Sequence, residues 1–151
     1  MLQFINELPN DYPIAGVHCV PVLENGNLLM VWDRNERVLT TIGGRLETGE
    51  SLIEGLKREA IEEAGVELED NVVPFASWFW EETKSYTVFY LAQVKRFLEI
   101  PEGYEKTGYV ITNFQTALEM IEKLEGGGER IELITKAGIL SGQLSEEGNS
   151  R

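Results

Sequence analysis

The spacing of apolar residues changes period along the chain, and each change marks an element. Ile14 to Leu23 and Leu28 to Trp32 are dense in β-branched and apolar residues, and Glu24-Asn25-Gly26-Asn27 between them has the composition of a hairpin turn. Two paired strands are predicted there. Arg37 to Ile42 predicts a third short strand, broken at Gly43-Gly44, with a glycine-containing loop running on to Glu50. Ser51 and Glu54 then stand at capping-box spacing, the period becomes helical, and Gly65 supplies a C-terminal stop. Val72 to Trp80 and Tyr86 to Val94 return to strand composition on either side of a polar turn, which predicts a second hairpin. Asn113 to Leu124 and Arg130 to Leu140 predict two helices around Gly126-Gly127-Gly128. The polar tail from Ser141 is expected to fray. No repeat or linker divides the chain, so this order predicts one α+β domain over residues 1–141, a mixed sheet between helices, and a tail over 142–151.

On a helical wheel of about 100° per residue, Leu52, Ile53, Leu56, Ala60 and Ala64 form a broad apolar face. Glu59, Glu62 and Glu63 then fall within an arc of about 100°, with Gly55 projecting between Glu59 and Glu62 and leaving space above them. Glu63 lies at the edge of the apolar face, where a carboxylate needs a partner. Like charges this close repel, and a hard divalent ion with oxygen ligands relieves the conflict. The plainer alternative is a solvated face on which Arg58 pairs with Glu54 and Glu62.

Charge sharpens the choice. Among the chain's 151 residues, 26 Asp and Glu stand against 13 Lys and Arg, a formal net charge of -13. Such a field repels a nucleic-acid polymer, and it also repels a small phosphorylated substrate unless bound cations reverse its sign locally. Cys19 is the only cysteine, so no intramolecular disulfide forms, and a buried thiol is expected. The start of the chain lacks the pattern of a secretion signal, and no apolar run approaches the roughly 18 residues of a membrane span. A cytoplasmic protein with no membrane partner is expected.

From Gly44 the chain reads GRLETGESLIEGLKREAIEEAGV, which is similar to the Nudix box Gx5Ex7REUxEExGU, U being an aliphatic residue. Gly44, Glu50, Arg58, Glu59, Glu62, Glu63 and Gly65 occupy all the fixed positions, with Ala60 and Val66 at the apolar ones. Two features depart from the common pattern: Ile42 stands where many members have proline, and Ala60 is small. The resemblance implies a Nudix-type α/β/α sandwich with a mixed β-sheet. It implies that Glu59 and Glu63 ligate Mg2+ (or Mn2+) directly, that Glu62 does so directly or through water, and that the Gly43 carbonyl completes the set. Arg58 and Glu50 would brace the loop and aim the carboxylates. The implied activity is hydrolysis of the diphosphate linkage in a small nucleotide-like substrate: a nucleoside triphosphate, nucleotide sugar, dinucleotide or ADP-ribose. A Nudix-like sensor that binds nucleotide without turnover is the alternative, and a homodimer is compatible with either.

Outside the box the signals are thinner. Family members draw their general base from the box or from a later loop, where Glu102 and Glu105 are candidates against the reading of solvated loop charges. Trp78 and Trp80 share a strand face and suit either stacking on a planar ligand or core packing. His18, with no metal-ligand spacing, is read as a hydrogen-bonded strand residue.

Overall fold

The computed structural model describes residues 1–104 and 106–147. Its strands are β1 (Leu2–Phe4), β2 (Ile14–Val22), β3 (Leu28–Asp33), β4 (Val38–Thr40), β5 (Ile42–Arg45), β6 (Val66–Leu68), β7 (Val73–Trp80), β8 (Ser85–Phe97) and β9 (Lys106–Thr112). Its helices are α1 (Leu52–Ala64), α2 (Phe114–Glu125) and α3 (Glu129–Leu140). The strands run in the order β1-β7-β8-β2-β3-β4, with β5 beside β2, β6 beside β8 and β9 beside β3. The pair β2–β8 is parallel and in register from Val17↔Val88 to Val22↔Gln93, while the flanking pairs are antiparallel, so the sheet is mixed.

Alternation along β2 and β3 distributes their side chains to two cores. Val17, Cys19, Leu29 and Val31 pack with Leu56, Ala60 and Ala64 of α1 on one side. Val20, Val22, Leu28 and Met30 pack with Phe114 and Ile121 of α2 and Ile134 of α3 on the other. Helices therefore cover both faces, and the fold is the α+β sandwich expected.

Several local expectations change in the tertiary context. The turn after β2 closes through Leu23 N–H to Asn27 O at 2.8 Å, but β2 and β3 then pair only at Val22↔Leu28. From Gly16 to Cys19 that edge of β2 is occupied by β5, and β3 pairs instead with β4 and β9. Gly43-Gly44 does not break a strand; both residues lie inside β5, opposite His18 and Val17. A Cβ at Gly43 would run into the Val17 carbonyl and the His18 side chain, so glycine is what permits this approach. Strands β1, β6 and β9 carry no local signal: two are three residues long, and β9 has no clean alternation, so pairing partners define them.

The chain also stays packed beyond the end of α3. Gln143 and Leu144 donate their N–H groups to the Gly138 carbonyl at 2.8 and 3.0 Å. Leu144 is 1% exposed and belongs to the α2–α3 core, so the core continues past residue 141 into the segment expected to fray.

Candidate active site

Helix α1 is delimited as its sequence predicts. The Ser51 hydroxyl accepts from Glu54 N–H at 3.2 Å, the Glu54 carboxylate accepts from Ser51 N–H at 2.8 Å, and Gly65 closes the helix at φ 63°. Its rotation differs from the simple wheel. Ile53 is 42% exposed, whereas Gly55, Glu59 and Glu63 are buried with Leu56, Ala60 and Ala64. Gly55 leaves no open space, because Leu46 and Glu50 of the preceding loop fill the volume a Cβ would take. Loop packing has turned the acidic stripe inward.

Glu59 and Glu63, 8% and 6% exposed, are held by different cations. Arg58 donates Nε–H and Nη2–H to the two oxygens of Glu50, at 2.6 and 3.0 Å, and its Nη1 to Glu59 at 2.6 Å and to Glu62 at 3.1 Å. The Arg45 carbonyl accepts from Nη2 at 3.1 Å, and Glu47 lies 3.2 Å from Nε. Glu54, a pairing partner in the solvated-face reading, instead serves the cap. Hydrogen bonds from Arg58 and then from the Glu47 N–H hold the Glu50 carboxyl below its ordinary range. This planar bidentate grip ties the loop to the helix.

Glu63 is held from the other side. One oxygen accepts from Gly43 N–H at 2.9 Å, and the other lies 3.2 Å from Lys106 Nζ, at the start of β9. Lys106 is also buried, and Asp33 stands 3.9 Å from its ammonium. Burial outweighs the help from Gly43 and Lys106, and the Glu63 carboxyl is pushed up to about 7. A lysine at a strand start gives no local sign that its ammonium will be buried against carboxylates remote in the chain.

Among the described residues, no three His, Cys, Asp or Glu side chains are grouped so as to hold a metal ion. The box oxygens face Arg58, Gly43 N–H and Lys106. Their chemistry nevertheless suits a hard cation: Arg58 Nη1 bridges Glu59 and Glu62, marking a place where positive charge is shared by two carboxylates. A Cβ at Gly44 would come within 3.0 Å of all three atoms of the Glu59 carboxyl group, so glycine lets the β5 backbone lie directly against that carboxylate.

His18 Nδ1 lies 2.8 Å from Thr41 Oγ1, in agreement with its reading as a hydrogen-bonded strand residue. Burial first, then Lys106 and Arg130, pushes its imidazole down to about 4. Trp78 and Trp80 share a face of β7, with ring centroids 5.8 Å apart, and both line a cavity beside His18. Glu102 is exposed on the loop before β9, and Glu105 lies outside the described residues.

The family model for the NUDIX domain matches residues 13–128, and the chain belongs to that family. By class it is a Nudix hydrolase, an enzyme of phosphoric anhydrides. No curated protein matches the sequence. Among solved structures, a NUDIX hydrolase from Nitrosomonas europaea is similar with a TM-score of 0.60 and 19% identity, over 83% of this chain and 90% of that one. A pyrophosphohydrolase from Bacillus subtilis is similar with a TM-score of 0.61 and 19% identity, over 74% and 70%. An Ap4A hydrolase from C. elegans is similar with a TM-score of 0.59 and 18% identity, over 84% and 98%. At these identities the likeness is one of fold.

Proposed function

We propose that the protein is a Mg2+-dependent pyrophosphohydrolase that cleaves the diphosphate linkage of a nucleoside diphosphate derivative. The observation that carries this reading is the pair of buried carboxylates, Glu59 and Glu63, beside the Gly43–Gly44 backbone. Buried carboxylates of like charge are costly unless a cation shares them. Glu59, Glu62, Glu63 and the Gly43 carbonyl would hold the ion, with Mn2+ as a substitute. When bound, the ion supplies charge neutralisation to the phosphate oxygens and acidifies a coordinated water.

The chain's own residues account for the rest. Arg58 and Glu50 position the carboxylates by fixing loop to helix. Lys106 supplies positive charge beside Glu63. Water attacks one phosphorus, the bridging P–O bond breaks, and the products are a nucleoside monophosphate and a second phosphate. The water's proton passes to a carboxylate, either one of the box glutamates or one of the later loop, Glu102 or Glu105. The net charge of -13 favours a small substrate over a nucleic-acid polymer. No helix among the described residues is long and apolar enough to cross a membrane. A cytoplasmic setting is part of the same proposal.

Incubation with Mg2+ and a panel of nucleotide derivatives, with products identified by mass spectrometry, tests the reading. Paired phosphorylated products that disappear with excess chelator are expected. Full turnover in chelator refutes the metal mechanism, while stoichiometric binding without products supports the sensor alternative.

A further inference from the structure

The sheet and helix α1 each bring a carboxylate to Lys106. In the antiparallel pair β3–β9, Asp33 lies directly opposite Lys106, so strand register alone sets these two side chains within reach of each other. Glu63 comes from α1 instead. The ammonium sits between the two, 3.2 Å from Glu63 Oε2 and 3.9 Å from Asp33 Oδ2. A charge-assisted hydrogen bond closes at about 2.8 Å, so a shift of about 1 Å toward Asp33 completes that pair and loosens the other. None of the three side chains is more than 13% exposed, and charges so buried interact more strongly than solvated ones.

Both oxygens of Glu63 are engaged, Oε1 by the Gly43 N–H and Oε2 by Lys106. A divalent cation on this carboxylate must stand close to one of these donors. The Gly43 N–H is held in place, because Gly43 is paired with His18 in the β2–β5 ladder. The ammonium is carried on a flexible four-carbon stem, and a second cation on the same carboxylate repels it. Lys106 is therefore the partner that yields.

Asp33 is built to receive it. Its Oδ1 accepts from the N–H groups of Asn35 and Glu36 at 2.9 and 3.1 Å, which fixes the carboxylate with Oδ2 toward Lys106. Asp33 and Lys106 both line the cavity of about 410 Å³ beside His18, so the ammonium has room to move. Glu36 and Glu129 line it too, but they are exposed, and a solvated carboxylate attracts the ammonium less.

We propose that Lys106 is a positioning residue for the metal site, which holds Glu63 in place until a divalent cation binds and then passes to Asp33. This rests on the hydrolase reading above and deepens it. Asp33 assists metal binding without touching the ion, by taking up the positive charge that the ion displaces.

The test measures Mn2+ binding to the full chain at pH 8, without substrate, from the electron paramagnetic resonance signal of free Mn2+. Asp33→Asn keeps the acceptor for Asn35 and Glu36 but removes the charge that receives Lys106, and is expected to weaken Mn2+ binding about fivefold or more. In a Lys106→Met background, which keeps an apolar stem, the same substitution is expected to change binding by less than about twofold. An equal loss in both backgrounds marks a long-range field of Asp33 and overturns the proposal, as does no loss in either. A crystal structure of the parent with Mn2+ provides a check that needs no variant: Lys106 Nζ is expected within about 3 Å of Asp33 and clear of Glu63. Nζ still against Glu63, or an ion bound away from Glu63, overturns the proposal while cleavage of nucleotide derivatives leaves the hydrolase reading intact. No Mn2+ binding by the parent also overturns it, and the hydrolase reading falls with it only if the nucleotide panel is left uncleaved.

Discussion

Replacing Glu63 by Gln separates the electrostatic cost of the site from its use. In the metal-free protein the Glu63 carboxyl is raised from 4.5 to about 7, chiefly by burial. The group is an acid with its folded pKa above its unfolded one. Its contribution to stability is therefore fully present below about pH 4.5 and is lost as pH rises through about 7. The shift corresponds to about 3 kcal/mol of order-of-magnitude cost once the carboxylate is ionised. Gln has the shape of the protonated acid, keeps an acceptor for Gly43 N–H and does not ionise, so any fixed offset from Lys106 is common to both measurements. Urea unfolding in chelator at pH 5 and pH 8 should show Glu63→Gln near the parent at the lower pH and more stable, by about 2–3 kcal/mol, at the higher. With Mg2+ and substrate, the same variant should lose turnover by at least about a hundredfold, roughly 2.7 kcal/mol. Glu54→Gln is the control: it retains the capping acceptor and should change stability by less than about 1 kcal/mol and turnover by little. A stability difference between Glu63→Gln and the parent that is flat or falls with pH refutes the electrostatic account. Turnover within a few fold of the parent refutes the assignment of Glu63 to the site.

Other outcomes follow from single contacts. Gly44→Ala places a methyl group against Glu59 and should raise the Mg2+ concentration for half-maximal activity about tenfold; an unaltered metal titration counts against a cation held at the Gly44–Glu59 contact. Cys19 is fully buried and burial raises its thiol well above the ordinary range, so a thiol reagent at pH 8 should label it only in denaturant; rapid native labelling contradicts the packing. Leu144→Ala should cost about 2–4 kcal/mol in denaturant unfolding, where a loose tail would cost almost nothing.

The elements legible without a fold are local and periodic. The helix Leu52–Ala64, with its capping box and glycine stop, depends on residues within a few positions of one another, and so does the spacing that groups Glu59, Glu62 and Glu63. The hairpin of β7 and β8 and the shared face of Trp78 and Trp80 follow from two-residue alternation. Charge balance predicts a cation at any phosphate site, and the wheel places Glu63 at the apolar edge. Tertiary structure decided the rest, because the deciding contacts join residues remote in the chain. The Gly43-Gly44 pair reads as a break, yet it forms a strand because β2 offers an edge that only glycine can approach so closely. Glu59 looks exposed on a wheel, yet it is buried because Leu46 and Glu50 fold back over Gly55 and Arg58. Lys106 reads as one more surface lysine, yet β9 delivers its ammonium to Glu63 across 43 positions of sequence, and no window of local pattern spans that distance.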